Sequence, residues 1–177
     1  MDSGAIFAAT IRWIHILAGI TWIGLLYYFN FVQGTAFNAQ DGPTRQKNFV
    51  TLVPRALLFF RWGAMLTFLA GLTLYIAYSA GAGGVGSTYA SSGRGHLIVV
   101  GALMGIIMLC NVWGIIWPNQ KRLIAANQAA LDGSTTPPPD QPKWARRGFL
   151  ASRVNTMFSI PMVFFMVSAP FLGTLAK

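Results

Sequence analysis

Two histidines in an otherwise apolar sequence are the side chains best suited to chemistry. His15 lies in "IRWIHILAGITWIGLLYYFNFVQ", residues 11–33, and His96 follows a connection rich in glycine and serine. A neutral imidazole is a common axial ligand of haem iron, and imidazoles from two helices can hold a b-type haem without a covalent bond. The pair therefore predicts a non-covalent haem b site, with His15 and His96 as axial ligands of the iron.

Neighbouring residues suit a flat macrocycle. Gly19, one turn beyond the first histidine, and Gly101, after the second, remove side chains where the ring would lie. Trp22 supplies an apolar wall, and Arg12 is placed to pair with a haem propionate or to extend to the membrane surface. Glycines also allow helices to pack closely, and histidines near helix ends also bond to carbonyls or lipid head groups. Both interpretations stay open.

A second set of polar residues lies in, or at the edge of, the opposite half of the same apolar segments. Asn111, Arg153 and Asn155 either bind a substrate or quinone, or, for the amides, hold helices together by hydrogen bonds. The four acidic residues all lie outside the apolar segments, so a pair of carboxylates for acid–base catalysis within them is excluded: Asp2, Asp41, Asp132 and Asp140.

Composition indicates what must position these residues. With 54% hydrophobic and only 10% charged residues, the chain has too little polar surface for a soluble globule. Four apolar segments are long enough to cross about 30 Å of hydrocarbon, and the backbone in lipid must satisfy its own hydrogen bonds, which favours helices. The prediction is an all-α polytopic membrane protein, a single four-helix transmembrane bundle over 1–177, with spans at about 7–31, 61–80, 96–117 and 155–174.

The charge distribution predicts the orientation of this bundle. Of the 13 lysines and arginines, ten lie in or at the edge of the connecting segments 32–60 and 118–154, and only Arg94 lies in 81–95. The positive-inside rule makes the first two segments cytoplasmic loops and places 81–95 and both termini on the periplasmic side of a bacterial inner membrane. Anionic lipid head groups account for the net charge of +9 without a nucleic-acid partner.

Periodicity and motifs add two expectations. Apolar residues recur at helical spacing after Pro118, so the third helix is expected to continue beyond it. The chain has no CxxCH haem-attachment motif, and Cys110 is its only cysteine. The haem expected from the histidines is therefore a non-covalent one.

Several motifs resemble a known family. "RWIHILAGITWIGLLYYFNFVQ" is similar to the first span of the membrane domain of PuuD-type urate hydroxylases, in the order Trp13, His15, Gly19, Trp22 and Gly24. "FFRWGAMLTFLAGLTLY" and "SRVNTMFSIPMVFFM" are similar to later parts of that domain. The resemblance implies the urate oxidase N-terminal domain family, in a short form without its cytochrome c domain, with electrons leaving toward the periplasmic side. Small haem-binding membrane proteins, including HemJ-type protoporphyrinogen oxidases, are also similar.

Three functions are compatible with these patterns. The preferred one is a membrane haem b protein that transfers electrons between a membrane donor and a periplasmic acceptor. That acceptor would be a c-type cytochrome or part of a larger respiratory or photosynthetic complex. The second is an oxidase of urate or another small molecule acting with a separate cytochrome c, and the third is a cofactor-free accessory subunit.

Overall fold

Four long helices make up almost all of the described chain. The computed structural model describes residues 3–82, 88–133 and 136–173, and no strand occurs among them. Each helix is long and apolar enough to cross a membrane: α1 Ser3–Asn38, α2 Gly42–Ser79, α3 Gly93–Leu131 and α4 Gln141–Leu172. The predicted all-α, four-helix membrane fold is confirmed. Residues 83–87 of the connection before α3, and residue 174 of the predicted fourth span, lie outside the described residues.

The helices extend well beyond the hydrocarbon that they must cross. The 38 residues of α2 would measure about 57 Å at about 1.5 Å per residue. Most of 32–60 and 118–154, which the sequence assigns to connecting loops, is helical.

Asp41 caps the start of α2 after a tight turn. Its side chain accepts a hydrogen bond from the Thr44 backbone N–H at 3.1 Å. Hydrogen bonds from Thr44, side chain first and backbone second, lower the pKa of Asp41.

Two helices contain a wide π-helical turn. In α1 this turn spans Tyr28–Gln33, where the Asn30 side-chain amide donates to the Leu26 carbonyl at 2.8 Å and competes with the backbone N–H for it. In α3 it spans Val112–Ile116 and ends two residues before Pro118, which has no N–H to offer the preceding turn. The wider turn accommodates the proline, and α3 continues to Leu131.

The helices form two antiparallel hairpins, α1 with α2 and α3 with α4, joined mainly through α2 and α3. We call the end where α1 turns into α2 the loop end, and the opposite one the termini end. Most of the contiguous core lies toward the loop end, around Trp22, Leu26, Phe60, Met108 and Ile116. Large apolar side chains cover the outside of the bundle, as lipid contact requires: Trp13, Ile20, Phe59, Leu103, Met157 and Phe164 are all more than half exposed.

Candidate functional site

His15 sits between α1 and α2 and is half-buried. Its ring nitrogen Nδ1 lies 2.8 Å from the backbone carbonyl oxygen of Thr67 on α2. A carbonyl only accepts hydrogen bonds, so Nδ1 carries the proton and Nε2 keeps its lone pair. No hydrogen bond with any described residue engages Nε2, which is therefore the nitrogen free to bind a metal.

A glycine on α2 makes room for this ring. A Cβ atom added at Gly71 would lie 2.8 Å from Cε1 and 3.0 Å from Nδ1 of His15. Both distances are shorter than ordinary contacts, so any side chain at position 71 would displace the imidazole. The orientation of His15 thus depends on two points of α2, one hydrogen-bond acceptor and one missing side chain.

The other predicted residues of α1 occupy different environments. Gly19 faces Thr67, whose Cγ2 would lie 3.8 Å from an added Cβ, an ordinary contact. Trp22 is buried in the core, and its indole Nε1 has no hydrogen-bond partner among the described residues. Arg12 is exposed on the outside of the bundle. Only Gly19 among the three shares its immediate surroundings, at Thr67, with His15.

His96 lies closer to the termini end than His15 does. It is exposed near the start of α3. Trp113 of α3 meets Trp62 of α2 with ring centroids 5.5 Å apart. From that contact His96 lies 17 residues toward the termini end on α3, whereas Gly71, which His15 contacts, lies nine residues in the same direction on α2. The two histidines are therefore offset along the bundle by roughly 10 Å, at about 1.5 Å per residue. The structure does not bring them to one height.

Gly101 is a close contact between α3 and α4. An added Cβ would lie 3.2 Å from Met166 Cε, 3.2 Å from Phe165 Cβ and 3.4 Å from the Met162 carbonyl oxygen. Side chains of α4 therefore already occupy the space beside it. This is the geometry of helix packing, which the sequence left open as an alternative to a haem cradle.

The three predicted polar residues of the loop-end half separate into two groups. Asn111 donates to the Asn155 side-chain oxygen at 2.9 Å, and Asn155, completely buried, donates to the Met108 carbonyl at 3.0 Å. These bonds join α3 to α4. Arg153 points elsewhere, exposed and with its guanidinium 5.0 Å from the Phe149 ring centroid. The two amides therefore form hydrogen bonds between helices, and Arg153 does not line a common pocket with them.

A cavity of about 840 Å³ lies nearer the loop end. All four helices line it, together with Pro137, Pro138 and Pro139 of the connection before α4. Phenylalanines supply much of its apolar wall, and Phe29 meets Phe60 edge to face with ring centroids 5.4 Å apart. Neither histidine lines this cavity.

Side-chain amides give the same cavity its polar character. Asn30 donates both to the Leu26 carbonyl and, at 2.7 Å, to the Ser152 hydroxyl on α4. The Oε1 atoms of Gln33 and Gln120 are shielded from water and have no hydrogen-bond partner among the described residues.

Sequence reasoning missed this site because both glutamines fall in segments assigned to loops. The available signal was a pair of amides, Asn30 and Gln33, at helical spacing at the end of an apolar span.

A family model described as urate oxidase N-terminal matches residues 82–177, which is 96 of the 177 residues. The chain belongs to the urate oxidase N-terminal family. The matched part of this family member contains α3 and α4, with His96, Gly101 and the asparagine pair. His15 and its α2 contacts precede it. No curated protein and no solved structure matches the chain.

The haem that the two histidines predict can be compared with the residues present in this urate oxidase N-terminal family member. His15 would be suited as a ligand of the iron, because its ring is oriented by Thr67 and its Nε2 is free. His96 would be less suited to hold the same iron, because it is offset from His15 along the bundle. Gly101 leaves no open space for a macrocycle. Ligation by the histidines stays a prediction, with His15 the better placed of the two.

Proposed function

We propose that this multi-pass membrane protein is a haem b protein of the urate hydroxylase type. It would carry electrons between a donor in the membrane and an acceptor at the termini end. One observation supports this above the others: His15 donates from Nδ1 to the Thr67 carbonyl and leaves Nε2 free. Metal-binding histidines almost always use their second nitrogen in this way.

The surroundings of His15 would prepare its Nε2 to bind a metal. The hydrogen bond to Thr67 fixes the tautomer and the ring plane, and it raises the basicity of Nε2. Gly71 lets α2 approach the ring closely enough for this bond to form. A bound haem would supply a one-electron redox couple inside the bundle. His15 would hold its iron, and Arg12, one turn away, would pair with a propionate at the surface.

Charge distribution supports the direction of transfer. The basic residues cluster toward the loop end, so the positive-inside rule places that end in the cytoplasm and the termini end in the periplasm. In this orientation His15 lies in the periplasmic half of a bacterial inner membrane. The acceptor would then be a c-type cytochrome or a larger respiratory or photosynthetic complex on that side.

A reduced-minus-oxidised absorption spectrum of the purified protein tests the proposal. We expect a b-type band, either as isolated or after addition of haem to the detergent-solubilised chain. Complete absence of the band in both samples, from protein that is folded by circular dichroism, would refute haem binding. A cofactor-free accessory subunit would then be the remaining function.

Oxidation of urate or another small molecule is a second candidate, favoured by the family match. The expected activity is consumption of urate by membranes that contain the chain, with a soluble cytochrome c added as electron acceptor. The His15→Ala variant is the matched control, because it keeps the bundle but removes the proposed ligand. Equal urate consumption by both membranes would show that the activity does not use His15.

A further inference from the structure

The loop-end cavity has the dimensions of a ligand site. Its volume of about 840 Å³ falls within the range of roughly 300 to 1,000 Å³ that is usual for small-molecule pockets. The π-helical turn Tyr28–Gln33 borders it from α1, and the one at Val112–Ile116 borders it from α3. Such turns occur often at functional sites, because they redirect side chains that a regular helix would point elsewhere.

Two unpartnered amide oxygens beside the cavity favour a ligand that donates hydrogen bonds. The Oε1 atoms of Gln33 and Gln120 lack any partner among the described residues, and an unpaired polar atom of this kind costs free energy. Both glutamines line the cavity. Each oxygen is shielded, so a turn of the terminal amide about its last side-chain torsion, which has a broad minimum, would be needed to bring it to the cavity surface. Two O–H or N–H donors on one ligand would satisfy both acceptors.

The charge of the lining restricts the ligand further. Arg45 is the only charged residue among those that line the cavity, and no described carboxylate faces it. A cation would therefore find no counter-ion, whereas a neutral or weakly acidic ring meets no repulsion. Phe29, Phe49 and Phe60 provide the apolar contacts that an aromatic ring prefers.

One wall of the cavity reaches the outside of the bundle. Phe149 of α4 lines the cavity and is also 52% exposed. From Phe149, exposed apolar residues of α4 lead toward the predicted span, at Leu150, Val154 and Met157. The Arg153 guanidinium lies beside this path, 5.0 Å from the Phe149 ring centroid. An apolar tail attached to the ring could therefore leave the cavity past Phe149 and reach the lipid along α4. A water-soluble ring without a tail would make no use of this exit.

We infer that the loop-end cavity binds a dihydroxylated aromatic ring with an apolar tail, the chemistry of a membrane hydroquinone, through Gln33 and Gln120. This names a class for the membrane electron donor, and that role rests on the proposed function. Binding itself needs neither haem nor electron transfer. The site is distinct from the predicted pocket of Asn111, Arg153 and Asn155.

Binding of 2-decylhydroquinone to the full chain in lipid nanodiscs tests the inference, with ascorbate present under anaerobic conditions. Empty nanodiscs measure partition into lipid alone. The dimethyl ether of the same compound keeps the ring and tail but has no O–H donor. Unsubstituted hydroquinone keeps both donors but has no tail. We expect saturable binding of 2-decylhydroquinone and at least about tenfold weaker binding of the other two compounds.

Glutamine variants connect binding to the cavity. Gln33→Leu and Gln120→Leu should each weaken binding by about 5- to 10-fold, the effect of losing one hydrogen bond. Neither should lower the melting temperature of the ligand-free protein, because each replaces an unpartnered buried oxygen with apolar atoms. Gln128→Leu is the matched control, since Gln128 is exposed on the same helix as Gln120 and does not line the cavity.

Equal binding of the diol and its ether would overturn the inference, as would uptake no greater than by empty nanodiscs. Unchanged affinity in both cavity variants would overturn the assignment to this cavity. If unsubstituted hydroquinone binds as tightly as 2-decylhydroquinone, the tail contributes nothing, and the inference that the ligand comes from the membrane is wrong. All these results are obtained on haem-free protein, so they are independent of the spectrum that tests the proposed function.

Discussion

Replacement of Gly71 by alanine tests the geometry on which the His15 site depends. The added Cβ would lie 2.8 Å from Cε1 of His15, well inside the roughly 3.5 Å of an optimal carbon contact. The ring must therefore swing away and release the Thr67 carbonyl. An interhelical hydrogen bond in a membrane contributes about 0.6 kcal/mol on average and up to about 1.7 kcal/mol. With the remaining overpacking, we expect the free energy of unfolding to fall by about 1 to 3 kcal/mol.

Denaturant-induced unfolding of the purified protein in detergent measures this change. Nitrogen-15 NMR of labelled histidine follows the His15 tautomer in the same samples, since displacement of the ring removes the fixed proton on Nδ1. Gly24→Ala is the control variant, because an added Cβ at Gly24 meets nothing within 4 Å. Alanine is also the better helix former by up to about 1 kcal/mol, so this control should be as stable as the native protein or more so.

The reasoning would be refuted by a specific pair of results. In the first, the Gly71→Ala protein has the same free energy of unfolding as the Gly24→Ala control. In the second, the nitrogen-15 spectra of both variants show the native His15 tautomer. The first result would mean that α2 does not approach the ring as closely as the structure shows. The second would mean that Thr67 does not select the protonated nitrogen.

Three further predictions concern helix packing and capping. Gly101→Ala should lower the melting temperature, because its Cβ would lie 3.2 Å from atoms of α4, whereas Gly105→Ala, with its nearest atom at 3.8 Å, should be tolerated. Asn111→Ala and Asn155→Ala should each destabilise the protein, and a double-mutant cycle should show a coupling of about 0.5 to 2 kcal/mol between them. Asp41→Asn should be less stable than the native protein at neutral pH. Because the folded-state pKa of Asp41 is lowered, its contribution is present above the unfolded-state pKa of about 4 and is lost as the pH falls through the folded-state value. The difference between the two proteins, measured by unfolding at several pH values, should therefore close in acid.

The helical bundle could be predicted because hydropathy and length suffice to identify membrane spans. The described residues of the four predicted spans lie almost entirely in long helices, and the continuation of the third helix beyond Pro118 is confirmed. The lengths of the helices beyond the membrane could not be predicted in the same way. Segments such as 42–60 are polar enough to suggest a loop, whereas the Asp41 cap begins a helix there and that helix packs against both α1 and α3.

The candidate site was predictable only residue by residue. His15 stood out because an ionisable ring is unusual in an apolar helix. Its two contacts could not be foreseen, because sequence does not give the register between α1 and α2 that brings Thr67 and Gly71 to the ring. The same lack of register concealed the offset of His96. The loop-end cavity depends on how all four helices converge, which no local pattern encodes.

Haem content per polypeptide, compared between the native protein and the variants His15→Ala and His96→Ala, tests the central claim most directly. Each protein is purified after expression with haem supplied, and its haem is measured as the pyridine complex, which does not depend on the native ligands. We expect haem in the native protein, loss of most of it in His15→Ala, and retention in His96→Ala because of its offset. Full haem content and an unchanged spectrum in folded His15→Ala protein would contradict the claim that His15 holds the iron.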